Sequence, residues 1–231
     1  MLRTDWPGYL VSHFAHATDS TACAPSAVET YRRVLSRQPD GSVTICTLGF
    51  FSNLKALLAS APDRWSKLSG KDLVAKKVKL LVSMAGAFPN GYEFNVYWDA
   101  DAARTVADEW PTPIIFSGWE IGSEIFTGNA VRDLPSDISA NPIKAAYTLA
   151  LSEDDRPHGR DSWDQTAALV AIRGAAPWFT LRHGHMTVDG KGNNKWTDDP
   201  QGQHAYLVFA QPIKQVRDAI EALMTQMPRK R

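Results

Sequence analysis

The chain of 231 residues lacks most of the features that would place it in a specialised class. It has two cysteines, Cys23 and Cys46, too few for a disulfide framework and spaced like no zinc motif. Cys46 lies in an apolar run and reads as a small core residue. Net charge is absent: 25 basic residues stand against 25 acidic ones. This leaves no electrostatic footprint for a nucleic-acid partner or an acidic membrane. The basic ending, Pro228-Arg229-Lys230-Arg231, is short and reads as a solvated terminus. No apolar run reaches the ~18–20 residues needed to cross a bilayer. The opening, MLRTDWPGYLVSHFAHATDS, carries aspartate and histidine where a secretory signal would have an apolar core, so a cytoplasmic location is expected. Internal repeats and low-complexity linkers are also missing. What remains is a chain 44% hydrophobic, enough for a sizeable core, and a single domain spanning residues 1–231 is expected.

The pattern along the chain alternates between strand and helix signals. SVTICTLGF (42–50) is β-branched, follows Pro-Asp-Gly and reads as a buried strand. SNLKALLAS follows as a helix with Ser52 at its cap. LVAKKVKLLVSM carries a helix tail into a second strand, and DADAARTVADEW is the next helix, with Asp99 or Asp101 near its positive end. PTPIIFSG (111–118) is a third strand with its prolines at the entry. NPIKAAYTLAL has Asn141 as cap and Pro142 at the first helical position. This alternation predicts an α/β fold: an open, mostly parallel sheet flanked by helices. The last third predicts an antiparallel hairpin, WFTLRHGHMTVDG and HAYLVFA, joined by a long turn KGNNKWTDDPQGQ. A closing amphipathic helix follows, on which Ile213, Val216, Ile220, Leu223 and Met224 recur at helical spacing. The first ~40 residues carry no firm periodic signal.

In open parallel sheets, ligands bind beyond the carboxyl ends of the strands. Three segments put polar residues there: Leu48-Gly49 with Ser52 and Asn53, Met84 to Asn95, and Ser117 to Glu120. Glu93 and Asn95 form the sharpest pair. On extended backbone they would point the same way, with Phe94 opposite. One offers acceptors only and the other both a donor and an acceptor, which suits a polyhydroxylated ligand such as a sugar. The alternative is that they cap the helix near Asp99 and bond loop backbone. Asp164, in the first turn of the helix in SWDQTAALVAI, either faces the same crevice or simply complements the helix dipole. Glu120 and Glu124 read as a solvated helix turn. His183 and His185 alternate along a strand and are too few for a metal site, while His13 and His16 decide nothing. Trp98, Trp110, Trp119 and Trp163 stand near the strand ends, either lining a ring pocket or packing the core.

Taken in order, three segments resemble the nucleoside hydrolase family of the inosine–uridine-preferring type. TICTLGFFSNLKALL resembles its strand–G-P-L-T-N-L-A–helix segment. KVKLLVSMAGAFPNGYEFNVYWDADAARTV resembles its strand–M-G-G…E-F-N…D-P-E-A-A–helix segment. SWDQTAALVAI resembles the segment bearing the late aspartate, often H-D-P. The resemblance covers roughly residues 25 to 172 and implies an open sheet with a Rossmann-like core. The implied activity is hydrolysis of the N-glycosidic bond of ribonucleosides to ribose and free base. A Ca2+ ion would hold the ribose 2′- and 3′-hydroxyls and the attacking water. Carried over by position, Asn95 would hold a ribose hydroxyl near the metal and Glu93 would accept from the 5′-hydroxyl. Asn90 would assist and Met84 would pack under the ribose. Asp164 and the backbone carbonyl of Leu48 would be calcium ligands.

Three departures shape the expectation. Trp163 replaces the histidine before the late aspartate; it cannot act as a general acid but can stack on a base or sugar face. Ala85 replaces the first glycine of M-G-G. The family's N-terminal strand with D-x-D-x-G-x-D-D, which supplies the catalytic base and most calcium ligands, has no counterpart here. The N-terminal strands of the fold are therefore expected to be missing, the calcium site incomplete and the catalytic base unassigned. A small-molecule nucleoside or other ribose-containing ligand is the expected partner. Neither nucleic acid nor membrane is expected, and an exposed sheet edge favours a homo-oligomer. The alternative is a non-catalytic sugar- or nucleoside-binding member, or an inactive fragment of the same fold.

Overall fold

Among the residues described in the computed structural model, 5–18, 20–152 and 158–226, nine strands form: β1 Val43–Thr47, β2 Val78–Met84, β3 Asn90–Tyr92, β4 Ile114–Ser117, β5 Phe126–Thr127, β6 Arg160–Asp161, β7 Phe179–Val188, β8 Asn193–Asp198 and β9 His204–Phe209. The basic ending 228–231 lies outside the described residues, as do residues 1–4 of the opening segment. The chain divides into two compact units. One draws on residues 1–24, 124–162 and 212–231, the other on 25–123 and 163–211.

The first unit holds the β5–β6 ribbon and the helices Trp6–His13, Pro142–Ser152 and Ile213–Met224. Asn141 caps its helix as expected, its side-chain oxygen accepting from the backbone N–H groups of Ile143 and Lys144 at 3.0 and 3.1 Å. Glu221 on the closing helix accepts from the backbone N–H of Gly128 at 3.0 Å, and the buried hydroxyls of Thr127 and Ser162 bond each other at 2.7 Å.

The second unit is built on a seven-stranded sheet of order β1-β2-β4-β9-β7-β8-β3. The first four strands run parallel; β9, β7, β8 and β3 then pair antiparallel in turn. The expected α/β sheet with a parallel core is therefore present. β1 is almost entirely β-branched, which suits a pleated, crowded surface. Pro111 and Pro113 precede β4, where a missing N–H costs no ladder bond. One expectation is corrected. The stretch expected to be a long turn contains β8, because Asn194 and Trp196 alternate inward between exposed neighbours. β7 pairs with β8 on one side and with β9 on the other. The early region also holds a helix the periodicity did not reveal, Ala27–Ser36, whose start is marked by Ser26 accepting from the N–H of Glu29 at 3.1 Å. Its Arg32 is buried, ion-paired with Asp63 at 2.9 Å and bonded to Ser60, Ser66 and Leu68, so it pins the following loop.

Helices Ser52–Leu58 and Ala100–Glu109 pack together and bury Leu54, Leu57, Ala102, Ala103 and Val106. Asp99, one of the two candidates, is the cap, accepting from the N–H of Ala102 at 3.1 Å. Ser52 is not a cap: it is the first helical residue and donates its hydroxyl to Asp99 at 2.5 Å.

His204, the first residue of β9, is buried in this sheet. Its Nδ1 accepts from the N–H of Met186 at 3.1 Å, and its ring packs on Phe116 with centroids 5.6 Å apart. Burial, reinforced by repulsion from His185, pushes its pKa down to about 4 from 6.5, against a hydrogen bond to Ala107 backbone. Between those values the unfolded chain binds the proton that the folded chain refuses. Stability is therefore full above pH 6.5 and falls as pH drops towards 4, by about 3 kcal/mol in all. Urea unfolding at pH 7, 6, 5 and 4.5 should show this loss, and in His204→Gln the slope between pH 6.5 and 4.5 should be shallower.

Candidate functional site

The parallel strands end in register, and their last residues carry the site. Thr47 of β1 stands beside Ser83 of β2, and Met84 beside Ser117 of β4. Two hydroxyl pairs close this row: Thr47 donates to Ser83 at 2.9 Å, and Ser117 bonds Thr166 at 2.7 Å. Thr166 belongs to helix Trp163–Arg173, which packs against β1, β2 and β4. That helix starts directly on the short helix Trp119–Gly122, where a Cβ on Gly122 would overlap the backbone of Trp163. The Trp163 indole donates to the Trp119 carbonyl at 3.0 Å. Asp164 is thereby carried to the strand ends.

Beyond β2 the chain makes a loop, the strand β3 and a four-residue helix, Phe94–Tyr97. Glu93 is the N-cap of that helix. One carboxylate oxygen accepts from the N–H of Asn95 at 2.9 Å and the other from the N–H of Gly86 at 3.0 Å. Asn95 donates its side-chain amide to the Met84 carbonyl at 2.9 Å and touches the Met84 sulfur at 3.2 Å. Glu93, Asn95 and Met84 thus form one bonded cluster at the end of β2. The backbone is extended only as far as Glu93 and helical after it. The expected alternation nonetheless survives in burial: Glu93 is 5% exposed, Asn95 8% and Phe94 49%.

Burial pushes the Glu93 carboxyl above its ordinary range; the N–H groups of Asn95 and Gly86 pull it back, and the Asp164 charge pushes it further up. Asp164, although open to solvent, is itself raised by desolvation, and burial, followed by the Asp164 field, raises the half-buried Cys46 thiol. The structure therefore brings Asp164 within electrostatic reach of Glu93. Leu48 follows β1 in an exposed position two residues beyond Cys46. Asn90 is placed differently. It is exposed on the edge strand β3, and its side-chain oxygen accepts from the N–H of Trp196 at 3.4 Å.

One residue dismissed from sequence belongs to this region. Glu120 was expected on a solvated turn; it is half-buried and accepts from the N–H of Phe88 at 3.0 Å, while Glu124 is exposed. The signal for Glu120 was its position just past β4, behind Gly118. The tryptophans separate: Trp110 is core and bonds Thr112, whereas Trp98 is exposed and clusters with Phe50 and Phe94 at 5.3 to 6.0 Å. His183 and His185 share an exposed face, and His185 pairs with Asp199 at 3.1 Å. Among the described residues no group of three or more His, Cys, Asp or Glu side chains could hold a metal ion, and no helix is long and apolar enough to cross a membrane.

The family model for inosine-uridine preferring nucleoside hydrolases matches residues 8–207. The chain belongs to that family. An uncharacterised protein of Schizosaccharomyces pombe is 31% identical over 131 residues, which are 52% of this chain and 38% of that relative. The chain thus spans well under half of the curated relative it matches. Among solved structures, a plant nucleoside hydrolase superposes with a TM-score of 0.68 at 20% identity, over 94% of this chain and 72% of that one. A purine-preferring ribonucleoside hydrolase from Gardnerella vaginalis gives 0.68 at 16% identity, over 89% and 67%. An inosine-uridine preferring nucleoside hydrolase from Bacillus anthracis gives 0.57 at 16% identity, over 87% and 66%. These likenesses establish a shared fold.

The coupling of the two acids is measurable without turnover. Replacing Asp164 by Asn removes the repelling charge, so the Glu93 carboxyl should titrate at lower pH. Carbon-13 NMR of labelled glutamate carboxyls, with Glu93→Gln for assignment, should show that downward shift; no shift would place Asp164 out of reach.

Proposed function

We propose that this family member binds ribonucleosides at the end of β2 and hydrolyses their N-glycosidic bond to ribose and free base. The observation that supports this most is the buried Glu93–Asn95 pair, held against Met84 and within the field of Asp164. Each Glu93 oxygen keeps a lone pair after accepting its backbone N–H, and that lone pair is suited to a sugar hydroxyl. The Asn95 amide nitrogen is committed to Met84, which leaves its carbonyl oxygen for a second hydroxyl. Met84 packs beneath the ring, and Trp163, seated on the Trp119 carbonyl, offers an aromatic face to ribose or base. Asn90, expected to assist, lies on the edge strand β3 and bonds the Trp196 N–H, so no ribose contact is assigned to it. As the bond to the base stretches, positive charge grows on the sugar, and carboxylates fixed beside it stabilise that charge. Binding and charge stabilisation fall to these residues; water activation is assigned to none of them.

Calcium is part of the reading by family resemblance, with the Asp164 carboxylate and the Leu48 carbonyl as its ligands. The donors are of the right kind, hard oxygens. Calcium takes about six to eight of them, and Asp164, Leu48 and Asn95 provide fewer. The described residues do not make a full calcium site. That shortfall favours one second reading, a member that binds ribose or a nucleoside without turnover.

Release of hypoxanthine from inosine, or uracil from uridine, followed with and without added calcium, separates the two. Turnover that falls at least about a hundredfold in kcat/KM in Asp164→Ala is the expected result. Asn95→Ala should raise KM about tenfold through the lost hydroxyl contact. Calorimetric binding of ribose with no base release in either nucleoside would establish the non-catalytic reading.

A further inference from the structure

The geometry points to Glu120 as a positioning residue: it seats the loop between β2 and β3 and, through that loop, sets the place of Glu93. Its bearing on ribose rests on the function proposed above; the seating itself does not.

The loop Ala85–Pro89 has no strand partner to satisfy all its amides, yet each non-proline N–H in it has an acceptor. Ala85 donates to the Ser117 carbonyl at 3.3 Å, Gly86 to Glu93 at 3.0 Å, Ala87 to the side chain of Asn194 at 3.0 Å and Phe88 to Glu120 at 3.0 Å. Three side chains from three elements thus hold three consecutive amides. The returning bond, from the N–H of Trp119 to the Gly86 carbonyl at 2.8 Å, fastens the same loop to the residue next to Glu120. Gly86 is the hinge of the set. It sits at φ +80°, and its N–H is one of the two groups that fix the Glu93 carboxylate. Moving Phe88 moves Gly86, and with it one of the two anchors of Glu93.

Glu120 is placed for this task at some cost. Its second oxygen, Oε1, is buried with no hydrogen-bond partner among the described residues. Burial raises its pKa, while the N–H of Phe88 and then its own backbone N–H hold it down. The carboxyl folds back over Gly118, where any Cβ would overlap both its oxygens. A carboxylate kept half out of water needs a compensating bond, and a charge-assisted bond to a backbone N–H is about twice as strong as a neutral one. Because its free oxygen is shielded, Glu120 acts on the loop and not on a ligand.

Three variants test this: Glu120→Ala removes the acceptor, Glu120→Gln keeps one of similar shape, and Gly118→Ala displaces an intact carboxyl. Hydrogen–deuterium exchange of the folded protein should show protection of residues 86–93 falling about tenfold or more in Glu120→Ala and Gly118→Ala, and largely kept in Glu120→Gln. The rest of the sheet should be unchanged. With inosine as probe, Glu120→Ala should raise KM about tenfold with kcat within about threefold, and Glu120→Gln should restore most of the loss. Unchanged protection in both Glu120→Ala and Gly118→Ala would overturn the assignment. So would a loss spread evenly over the sheet, or a loosened loop with unaltered KM. Should the unaltered protein neither bind nor hydrolyse inosine, the nucleoside reading fails by itself, and the exchange pattern still decides for or against the seat.

Discussion

The Glu93 carboxylate joins three pieces of backbone at the end of β2. Through Gly86 it holds the turn leaving β2; through Asn95 it starts the short helix Phe94–Tyr97; and its own position follows directly from β3. A four-residue helix is far too short to persist alone. Here the cap supplies the nucleus, and the amide of Asn95 ties the first turn back to the Met84 carbonyl. The structural and ligand-binding interpretations of this pair are therefore not exclusive. The bond from Asn95 that caps the helix and the bond from Gly86 in the loop together orient the carboxylate and leave a lone pair on each oxygen. A side chain preorganised in this way loses little entropy when a hydroxyl arrives.

Much of this was legible from residue order, for identifiable reasons. β1, β2 and β4 are dense in Val, Ile and Leu, and a strand buried by helices on its faces needs that continuity. The Asp99 cap and the Asn141–Pro142 start are local chemistry, decided within a few residues. Glu93, Asn95 and Asp164 stand out as candidates because ligands of a parallel sheet bind beyond its strand ends. What escaped notice depends on distant partners. β8 is an ordinary polar stretch until Trp196 and Asn194 find the core and the loop after β2. Arg32 looks like one more surface cation on an amphipathic helix, and its acceptors lie about thirty residues away. Glu120 was misjudged because a helix-like Trp-Glu-Ile-Gly says nothing of an amide that arrives from Phe88.

Buried titratable groups show where this unit accepts instability. His204 is held neutral at the start of β9, and the buried Glu93 and half-buried Glu120 are acids around one loop. The histidine has an architectural explanation, since its Nδ1 accepts from the Met186 N–H and its ring packs on Phe116. The two glutamates differ from it. An asparagine or serine could satisfy a loop amide at lower desolvation cost, so a pair of acids on two amides of one loop, Gly86 and Phe88, is an expensive arrangement for structure alone. Asp164 adds a third like charge in range of the first. Negative potential concentrated beside a cleft is the arrangement that favours a cation or a developing positive charge there.

The mixed topology of the sheet accounts for how such a loop can be held at all. A purely parallel sheet ends each strand in a connection free on its outer side. Here the antiparallel half folds back past that end: β8 pairs with β3 on the sheet edge and sends Asn194 into the loop, donating to and accepting from Ala87 at 2.8 and 3.0 Å. Phe88 then inserts between Phe116, Trp196 and Tyr206, with the Tyr206 ring stacked at 4.7 Å. One wall of the proposed cleft comes from the parallel strands and the helix bearing Asp164, and the other is braced by strands from the far end of the sequence. Loss of either half would leave Glu93 without its frame, although the two halves lie far apart in the chain.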